Sequence, residues 1–182
     1  MKRAFDIFFS ALALLLLSPW LGAIAIWVMS DSRGGAFYGQ TRVGKHGRLF
    51  RLFKFRSMTA DDEGPEVTLG NRDRRITKVG RVLRRYKLDE LPQLWNVIRG
   101  DLSFVGPRPV TRSELFKYGR HTQAYLSVRP GVTGPWQVTG RDANSYSNRV
   151  LQDAAYVASI NFAWDVKIIA QTAFVPFKLA GQ

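Results

Sequence analysis

The sequence of 182 residues contains no cysteine. Disulfide bonds, thiolate nucleophiles and zinc–thiolate sites are therefore excluded. Histidine is almost as scarce, because His46 and His121 are the two in the chain, and this argues against a metal centre built from histidines. Acidic side chains are also few, with 14 Asp and Glu against 27 Lys and Arg.

The resulting charge balance is strongly basic, with a net charge of +13 and a sequence pI of about 10.6. Lys2, Arg3 and Asp6 give residues 1–30 a net charge of +1, so the remainder of the chain carries +12. An excess of this size indicates an anionic partner, which could be nucleic acid, an anionic lipid surface or a phosphorylated substrate. The length is typical of one domain.

One long apolar segment interrupts this basic composition. Residues 7–29 carry no charged side chain, and as a helix they are long enough to span a hydrocarbon core of roughly 30 Å. A secretory signal has a shorter apolar run with a small-residue cleavage site after it, and none follows convincingly here. We therefore predict that residues 1–30 associate with a membrane.

Two features bear on how this segment sits in the membrane. Ser18-Pro19 lies at its centre, where proline removes a helix hydrogen bond and the serine hydroxyl can bind the freed carbonyl. Basic residues, which favour the cytoplasmic side, precede the segment at Lys2 and Arg3. They also follow it, at Arg33, Arg42, Lys45 and Arg48. From the residues alone, a helix that re-enters by the same face and a kinked single span remain equally open.

Residues 37–58 are typical of a β-hairpin that turns at Gly44–Gly47. In its second strand Lys54 and Arg56 alternate with two phenylalanines, so the two cations share one face. That face suits a phosphate group, although a solvated strand edge protected by basic residues explains the pattern equally well. Residues 59–75 are polar and typical of a loop, for which a lid over a site is one use.

Two helices are predicted next. Thr77 is a candidate N-cap for the first, whose apolar stripe is Val79, Val82, Leu83 and Tyr86. The second is expected to start at 88–90, because Pro92 is tolerated only in a first turn, and to end at Gly100. Its predicted buried stripe is Leu91, Leu94, Trp95 and Ile98.

Two turn-rich stretches follow, GDLSFVGPRP at 100–109 and RPGVTGPWQVTGR at 129–141. Both stretches contain arginines between Pro and Gly residues, which restrict or sharply turn the backbone. An arginine held in this way suits bidentate binding of a phosphate, which needs a fixed guanidinium. Residues 146–178 show amphipathic helical patterning with many aromatics, which suits either a membrane interface or packing on the core. These aromatics are Tyr156, Phe162, Trp164, Phe174 and Phe177.

The adjacent carboxylates Asp89 and Glu90 are the candidate chemical centre. They come at the predicted start of a helix, whose dipole and free amides favour anions, and they follow a helix with several arginines. Carboxylates with basic neighbours suit magnesium and phosphate chemistry, with one oxygen as metal ligand and another as nucleophile. The pair alone does not indicate catalysis, since the same sequence would result if Asp89 were only an N-cap and Glu90 only complemented the helix dipole.

The wider string KLDELPQLWNVIRGDLSFVGPRP resembles the signature of the small monotopic phosphoglycosyl transferases, also called bacterial sugar transferases. Similar segments occur in the family order over essentially the whole chain. They are a basic N-terminus before an apolar helix with Ser18-Pro19, FKFRSM at 53–58, RRITKVGRVLRRYKLDELPQL, GPRP at 106–109, RPGVTGPWQVTGR at 129–141 and a varied YVASINFAWDVKII at 156–169. Several long motifs in the correct order are more specific than any one of them.

The resemblance implies a re-entrant helix broken at Ser18-Pro19 and a catalytic domain over 31–182 on the cytoplasmic face of the bacterial inner membrane. The fold class expected is α+β and mainly helical, with a β-hairpin and interfacial amphipathic helices. Larger relatives carry an N-terminal multi-span region, so this chain is expected to be the minimal catalytic unit.

The resemblance also implies chemistry. Asp89 would attack the β-phosphate of a UDP-sugar and release UMP, Glu90 would bind Mg²⁺, and a polyprenyl (undecaprenyl) phosphate would then take the phospho-sugar from Asp89. This step initiates exopolysaccharide, O-antigen or glycoprotein glycan assembly. Candidates for holding phosphates or the nucleotide are Lys54, Arg56, Arg84, Arg108 and Arg129, with Asp153 as a further site residue.

Other interpretations predict different partners. A membrane-tethered module that binds nucleic acid would also explain the high pI, and a scaffold protein would use the aromatic tail for partners. The first predicts salt-dependent binding to DNA or RNA and no role for Asp89. No recognisable nucleic-acid-binding motif supports it, so we expect no nucleic-acid partner. Anionic lipid is an expected partner, and a homodimer is one option for assembly.

Overall fold

The structure, a computed structural model, describes residues 1–59, 73–139 and 146–180, and side chains as far as residue 172. Most of the predicted polar loop and the end of the second turn-rich stretch lie outside these residues, as do the side chains of Phe174 and Phe177. The architecture is α+β and mainly helical, as predicted. Its helices are α1 (Lys2–Asp31), α2 (Lys78–Arg85), α3 (Gln93–Arg99), α4 (Arg112–Leu115), α5 (Thr122–Ser127), α6 (Pro135–Thr139), α7 (Tyr146–Ala158) and α8 (Phe162–Ala180). Its strands are β1 (Phe37–Val43), β2 (Leu49–Phe55), β3 (Ser103–Val105) and β4 (Gly131–Thr133).

Helix α1 runs from Lys2 to Asp31 with Pro19 inside it. Helical structure therefore continues through Ser18-Pro19, and the predicted break with re-entry in a membrane stays a prediction. Proline at position 19 leaves the Leu15 carbonyl without the amide that would otherwise bind it. The Ser18 hydroxyl donates a hydrogen bond to this carbonyl at 2.8 Å, which confirms the predicted role of the serine. By length and composition α1 could cross a bilayer.

Polar contacts hold the N-terminal end of α1 to the rest of the chain. Lys2 Nζ lies 2.5 Å from a carboxylate oxygen of Asp165 in α8, and Arg3 donates to two carbonyls in the last turn of α3. The buried Asp6 accepts hydrogen bonds from the Ser103 hydroxyl and from a backbone amide of β3. These three charged groups together connect the start of the helix to α8, α3 and β3.

The C-terminal end of α1 also lies on the domain. Val28 is buried with β2 and α2, and the Asp31 carboxylate accepts a hydrogen bond from the Val79 amide at 2.7 Å. Between the two ends the helix is uncovered, since Leu16 and Trp20 are 66% and 70% exposed. The helix therefore contacts the same domain at both ends while its apolar middle faces away from it.

The predicted hairpin is confirmed. Strands β1 and β2 pair antiparallel, and a 3₁₀ turn at Lys45–Gly47 joins them. Phe50 and Leu52 are buried against α3, whereas Phe55 packs on the opposite face beneath α1 and α2. Lys54 shares its face with Phe50 and Leu52 by the alternation of a strand, so this cation points towards the interior rather than to solvent.

Helix α2 has the predicted N-cap and α3 the predicted end, but the predicted start of α3 at 88–90 was wrong, because a separate 3₁₀ turn occupies Leu88–Glu90 and α3 starts at Gln93. The predicted apolar stripes are only partly buried. Thr77 caps α2 by accepting from the Gly80 amide, and Gly100, with φ of 89°, ends α3. Trp95 was predicted to be buried but is 51% exposed, and Val82 and Tyr86 in α2 are also exposed. Both helices are so short that each covers only a narrow strip of core. The buried positions of α3 are Gln93, Leu94, Asn96 and Val97.

The two turn-rich stretches come together as a two-stranded parallel sheet of β3 and β4, which the sequence did not predict. Glycines allow this approach. A Cβ on Gly106 would lie 2.6 Å from the Arg129 carbonyl oxygen, and a Cβ on Gly134 would collide with the Gly106 carbonyl. Helices α7 and α8 cover this sheet, and their buried Tyr156 and Ile168 pack on Val105. Of the tail aromatics, Tyr156 therefore belongs to the core.

Candidate active site

Asp89 lies in a 3₁₀ turn, Leu88–Glu90, between α2 and α3. The turn starts at Lys87, which adopts a left-handed conformation with φ of 60°. Because α3 begins only at Gln93, Asp89 precedes that helix by about a turn, and the amides of Glu90 and Leu91 already bind carbonyls of the turn. The predicted phosphate site on free amides is thus not formed by these two groups.

The Asp89 side chain is buried, with 7% of the residue exposed. Within the part of the chain that the structure describes, its carboxylate makes no hydrogen bond or ion pair. Burial raises the pKa of Asp89, and the neighbouring Glu90 raises it further, whereas Lys54, Lys87 and Arg84 lower it. Asp89 is therefore a desolvated carboxylate whose ionised form depends on nearby cations.

Glu90 is the partner of two of these cations. Its Oε1 atom lies 2.8 Å from Lys54 Nζ and 3.9 Å from an Arg108 guanidinium nitrogen. Burial on its own would raise the pKa of Glu90, but Lys54, Arg108 and Lys87 outweigh it, so the pKa falls well below its usual range. Glu90 is consequently a fixed anion that brings the end of β2 and the 106–109 turn to the same point.

The side chain of Asn96 sets the distance between β2 and α3. This fully buried amide accepts a hydrogen bond from the Phe53 amide at 3.0 Å and donates to the Arg51 carbonyl at 2.8 Å. The Asn96 side chain therefore binds the backbone on both sides of Leu52, along the edge of β2 that faces away from β1. Lys54 follows directly and is thereby held opposite Glu90.

Arg84 approaches Asp89 from the side of α2. Its Nε atom donates to the Ser57 hydroxyl at 2.8 Å. Burial lowers the pKa of Arg84, and Asp89 is the charge that opposes this shift most. A Cβ on Gly80, one turn earlier, would collide with the Ser57 backbone. The glycine thus allows α2 to lie directly on the segment after β2, which places Arg84 beside Asp89.

A small open cleft lies at this point, and its space of about 250 Å³ includes open solvent. Its walls come from β1, β2, the Asp89 turn, α3, β4 and the 106–109 turn. The lining residues are Arg42, Leu52, Lys54, Glu90, Gln93, Arg108, Pro109 and Val132. Three cations and one carboxylate therefore face a small cavity with two aliphatic walls, which suits a phosphorylated ligand.

The structure brings some predicted site residues together and separates others. Lys54 and Arg108 pair with Glu90 and line the cleft. Asp89 and Arg84 lie next to this group but are not among the residues that line the cleft. Arg129 is exposed and donates to the Gly100 carbonyl at 2.8 Å, so it caps the end of α3 rather than lining the cleft. Arg56 packs its guanidinium on Gly34 in the linker after α1, and it does not line the cleft either.

Asp153 lies one layer behind the cleft. It is buried and accepts a hydrogen bond from the Tyr118 hydroxyl at 2.6 Å. Burial raises its pKa to about 6, although Tyr118 and Arg149 oppose the rise. Arg149, whose Nε atom lies 3.8 Å from Asp153, donates a hydrogen bond to the Arg108 carbonyl. The sequence had suggested a direct place in the site, whereas the structure puts Asp153 beneath the turn that carries Arg108.

Two cleft residues were missed by the sequence reasoning, Arg42 and Gln93. Arg42 was treated only as a flanking charge, because its partners Glu114 and Pro109 are remote in sequence. Gln93 lies in the first turn of α3, and with 3% exposure it could have been noted as a polar residue on a buried helix face. Neither residue has a local signal that distinguishes it from an ordinary surface position.

The residues present can be compared with the needs of a metal ion. Among the described residues, no cluster of three or more His, Cys, Asp or Glu side chains could enclose one. Mg²⁺ commonly uses one or two carboxylates and takes its other ligands from substrate phosphates and water. Asp89 and Glu90 supply such a pair beside a cationic cleft, so the donor set fits a magnesium ion that is shared with a diphosphate.

Comparison with known proteins gives the family of the chain. The model of the family described as bacterial sugar transferase matches residues 1–179. The chain belongs to this family. An undecaprenyl-phosphate galactose phosphotransferase of Salmonella typhimurium is 41% identical over 198 residues, which cover 100% of this chain and 41% of that protein.

Other bacterial sugar transferases extend the comparison. The exopolysaccharide production protein ExoY of Rhizobium meliloti is 42% identical across 94% of this chain and 83% of its own length. A UDP-N-acetylgalactosamine-undecaprenyl-phosphate N-acetylgalactosaminephosphotransferase of Aeromonas hydrophila is 36% identical across 94% of this chain and 42% of its own. The chain thus spans less than half of the Salmonella and Aeromonas proteins and most of ExoY.

Proposed function

We propose that this chain transfers a sugar 1-phosphate from a UDP-sugar to undecaprenyl phosphate, releases UMP and so starts the assembly of an extracellular polysaccharide. The observation that carries the proposal is the buried Asp89 carboxylate, which is free of hydrogen bonds within the described residues and is influenced by the cations Lys54, Lys87 and Arg84. Arg108 pairs with the adjacent Glu90. The names of the relatives support the acceptor, and that of the Aeromonas protein supports a UDP-linked donor.

In the first step an Asp89 carboxylate oxygen attacks the β-phosphorus of the UDP-sugar. A bond forms between this oxygen and phosphorus, the bridging P–O bond breaks, and UMP leaves with the electron pair. Lys54, Arg84 and Arg108 stabilise the charge that develops on the phosphate oxygens. Because Asp89 accepts no hydrogen bond from the described residues, none has to be broken before it reacts.

In the second step an oxygen of undecaprenyl phosphate attacks the same phosphorus. The bond between Asp89 and phosphorus breaks, the carboxylate is regenerated, and the phospho-sugar is now linked to the lipid by a diphosphate. A covalent carrier lets the soluble donor and the lipid acceptor react in turn, without both occupying the cleft. The cleft needs room for only one diphosphate at a time.

Magnesium completes the proposal. Asp89 and Glu90 would hold the ion together with the donor diphosphate, and the ion would neutralise charge on the leaving UMP. Glu90 suits this role because its pKa lies well below its usual range, so it remains an anion at neutral pH. Lys54 and Arg108 keep its carboxylate in place before the ion binds.

The membrane arrangement follows from α1. We propose that it enters the cytoplasmic membrane and returns to the same face. The contacts of both ends with one domain support this, because a span would carry one end to the opposite side. The exposed apolar middle is the part that lipid would cover. The catalytic domain then lies at the level of the undecaprenyl phosphate head group.

UMP release tests the proposal directly. The purified chain in detergent, with Mg²⁺, undecaprenyl phosphate and a panel of UDP-sugars, should release UMP with at least one donor. Asp89→Asn should abolish this release, whereas the control Asp101→Asn, at a carboxylate beyond α3, should retain it. Full activity of Asp89→Asn would overturn the assignment of the nucleophile.

A further inference from the structure

The turn that carries Arg108 is held by side chains from distant elements. The Arg108 carbonyl accepts a hydrogen bond from Arg149 in α7 at 3.2 Å, and the Pro109 carbonyl accepts from Arg42 in β1 at 3.1 Å. The Val110 amide donates to the Tyr125 hydroxyl at 3.2 Å, and the Val110 carbonyl accepts from the Val43 amide. Each backbone position of the turn therefore depends on a remote partner.

Arg149 is an enclosed arginine. Only 5% of the residue is exposed. Its guanidinium carbon lies 5.3 Å from the centre of the Trp136 ring and 5.0 Å from that of Tyr146. The Arg108 guanidinium lies over the same indole at 6.0 Å. Trp136 thus contacts both guanidinium groups, and one aromatic ring links the buried arginine to the arginine of the cleft.

The charge of Arg149 is balanced inside this layer. Glu114 lies 3.9 Å from its Nη1 atom, and Asp153 lies 3.8 Å from its Nε atom. Glu114 also accepts a hydrogen bond from Arg42 at 2.8 Å. Two arginines and two carboxylates therefore form a neutral buried cluster. Arg149 is not among the residues that line the cleft, so its effect on a ligand must pass through another group.

We propose that Arg149 is a positioning residue, which acts on the transfer reaction by holding the Arg108 turn and guanidinium against Glu90. The inference rests on the proposed function and adds a residue that does not touch the substrate. A planar guanidinium is required for this, since it stacks between two rings and donates to a carbonyl at the same time. Lysine has the same charge, but its ammonium group is not planar and cannot donate two parallel hydrogen bonds.

The consequence is a specific kinetic pattern. Arg149→Lys should lower kcat for UMP release by roughly 10- to 100-fold, because a displacement of about an ångström in a charged group is enough for such a loss. The matched control Arg112→Lys, at an exposed position of α4, should change kcat by less than about twofold.

A double-mutant cycle with Arg108 decides whether the effect is indirect. A lysine at position 108 carries its charge on a flexible stem and depends less on the exact path of the turn. In an Arg108→Lys background we therefore expect Arg149→Lys to lower kcat by no more than about threefold. An equal loss in both backgrounds would show that Arg149 acts independently of Arg108, and the proposal would be overturned.

Separate controls test whether each variant folds and whether the proposed function holds. The melting temperature of each variant in detergent shows whether the variant is folded. If Arg149→Lys does not fold, Tyr146→Leu takes its place in the double-mutant cycle, because it removes one of the two rings that stack on Arg149. Failure of the wild-type chain to release UMP from any UDP-sugar would contradict the proposed function. An active wild type with additive losses in the cycle would contradict only the role of Arg149.

Discussion

Lys54 Nζ lies 2.8 Å from Glu90 Oε1, so the last inward-facing residue of β2 contacts the neighbour of Asp89. The contact joins two segments that are separated by α2 and by residues outside the described part of the chain. Lys54 is also the largest favourable charge acting on the pKa of both carboxylates, after burial. This single cation therefore controls how readily the pair ionises.

Removal of Lys54 should change the pH dependence of the reaction. Lys54 lowers the pKa of Asp89 and of Glu90, so Lys54→Met should raise both. The acid limb of kcat/KM for UMP release should then move to higher pH, because the first step requires an ionised Asp89. The pH–rate profile measures this. Arg48→Met, an exposed cation at the hairpin turn, is the control, and an unmoved acid limb in Lys54→Met would contradict the account.

A methyl group at Gly106 should separate the two turn-rich stretches. The added Cβ would lie 2.6 Å from the Arg129 carbonyl oxygen and 2.8 Å from the Gly131 amide nitrogen, and backbone atoms on both sides leave little room to adjust. Gly106→Ala should lower the free energy of unfolding by about 1–3 kcal/mol and reduce activity by displacing Arg108. Gly35→Ala, where nothing lies within 4 Å of the new Cβ, should leave both unchanged. Thermal unfolding compares the two variants.

These two predictions show how much of the site the sequence could provide. The hairpin, the Thr77 cap and the Gly100 terminus have local signals, namely period-two alternation, a capping hydroxyl and a residue that tolerates positive φ. Such signals depend on neighbouring residues and were read correctly. The carboxylate pair was found because a family resemblance covers the string around it.

The parts that were missed depend on contacts between distant segments. Arg129 and Arg108 occupy similar Pro- and Gly-rich contexts, yet one binds the end of α3 and the other faces the cleft. Their difference arises from the parallel pairing of β3 and β4, which no local pattern encodes. Trp95 was expected inside because it lies four residues after Leu91 and three before Ile98. Helix α3 buries the polar Asn96 instead, since that amide binds the edge of β2.

Replacement of Asp153 should alter the pH dependence of stability. Its pKa is about 6 in the folded protein against an ordinary value of 3.8, so the folded state retains this proton to a higher pH than the unfolded chain. The resulting stabilisation is complete below about pH 3.8 and is lost as the pH rises through about 6. It corresponds to roughly 3 kcal/mol. Asp153→Asn should lack this contribution.

Comparison of the wild type with Asp153→Asn isolates the contribution of the Asp153 carboxyl group. The difference in free energy of unfolding between wild type and Asp153→Asn should change in favour of the wild type as the pH is lowered from 7 to 4. Chemical denaturation at several pH values gives this difference. A difference that is constant with pH would show that Asp153 does not titrate in this range.

Substitution of the proline in α1 should change its topology. Pro19→Ala restores a backbone amide for the Leu15 carbonyl, which the Ser18 hydroxyl now binds at 2.8 Å, and so favours a straight helix. A tag placed before Lys2 should be accessible from the cytoplasmic face in the wild type, and in a larger fraction of molecules from the opposite face in Pro19→Ala. Leu16→Ala, in the same apolar segment, should behave as the wild type. Labelling from each side distinguishes the outcomes.

The covalent phospho-sugar on Asp89 is the most direct test of the whole account. The purified chain should be mixed with Mg²⁺ and an accepted UDP-sugar without undecaprenyl phosphate, and its intact mass should then be measured. We expect a mass increase equal to one sugar phosphate, located at Asp89 by peptide sequencing, absent in Asp89→Asn and lost when undecaprenyl phosphate is added. Release of UMP by an active enzyme that never gains this mass, or that carries it on another residue, would contradict the central claim.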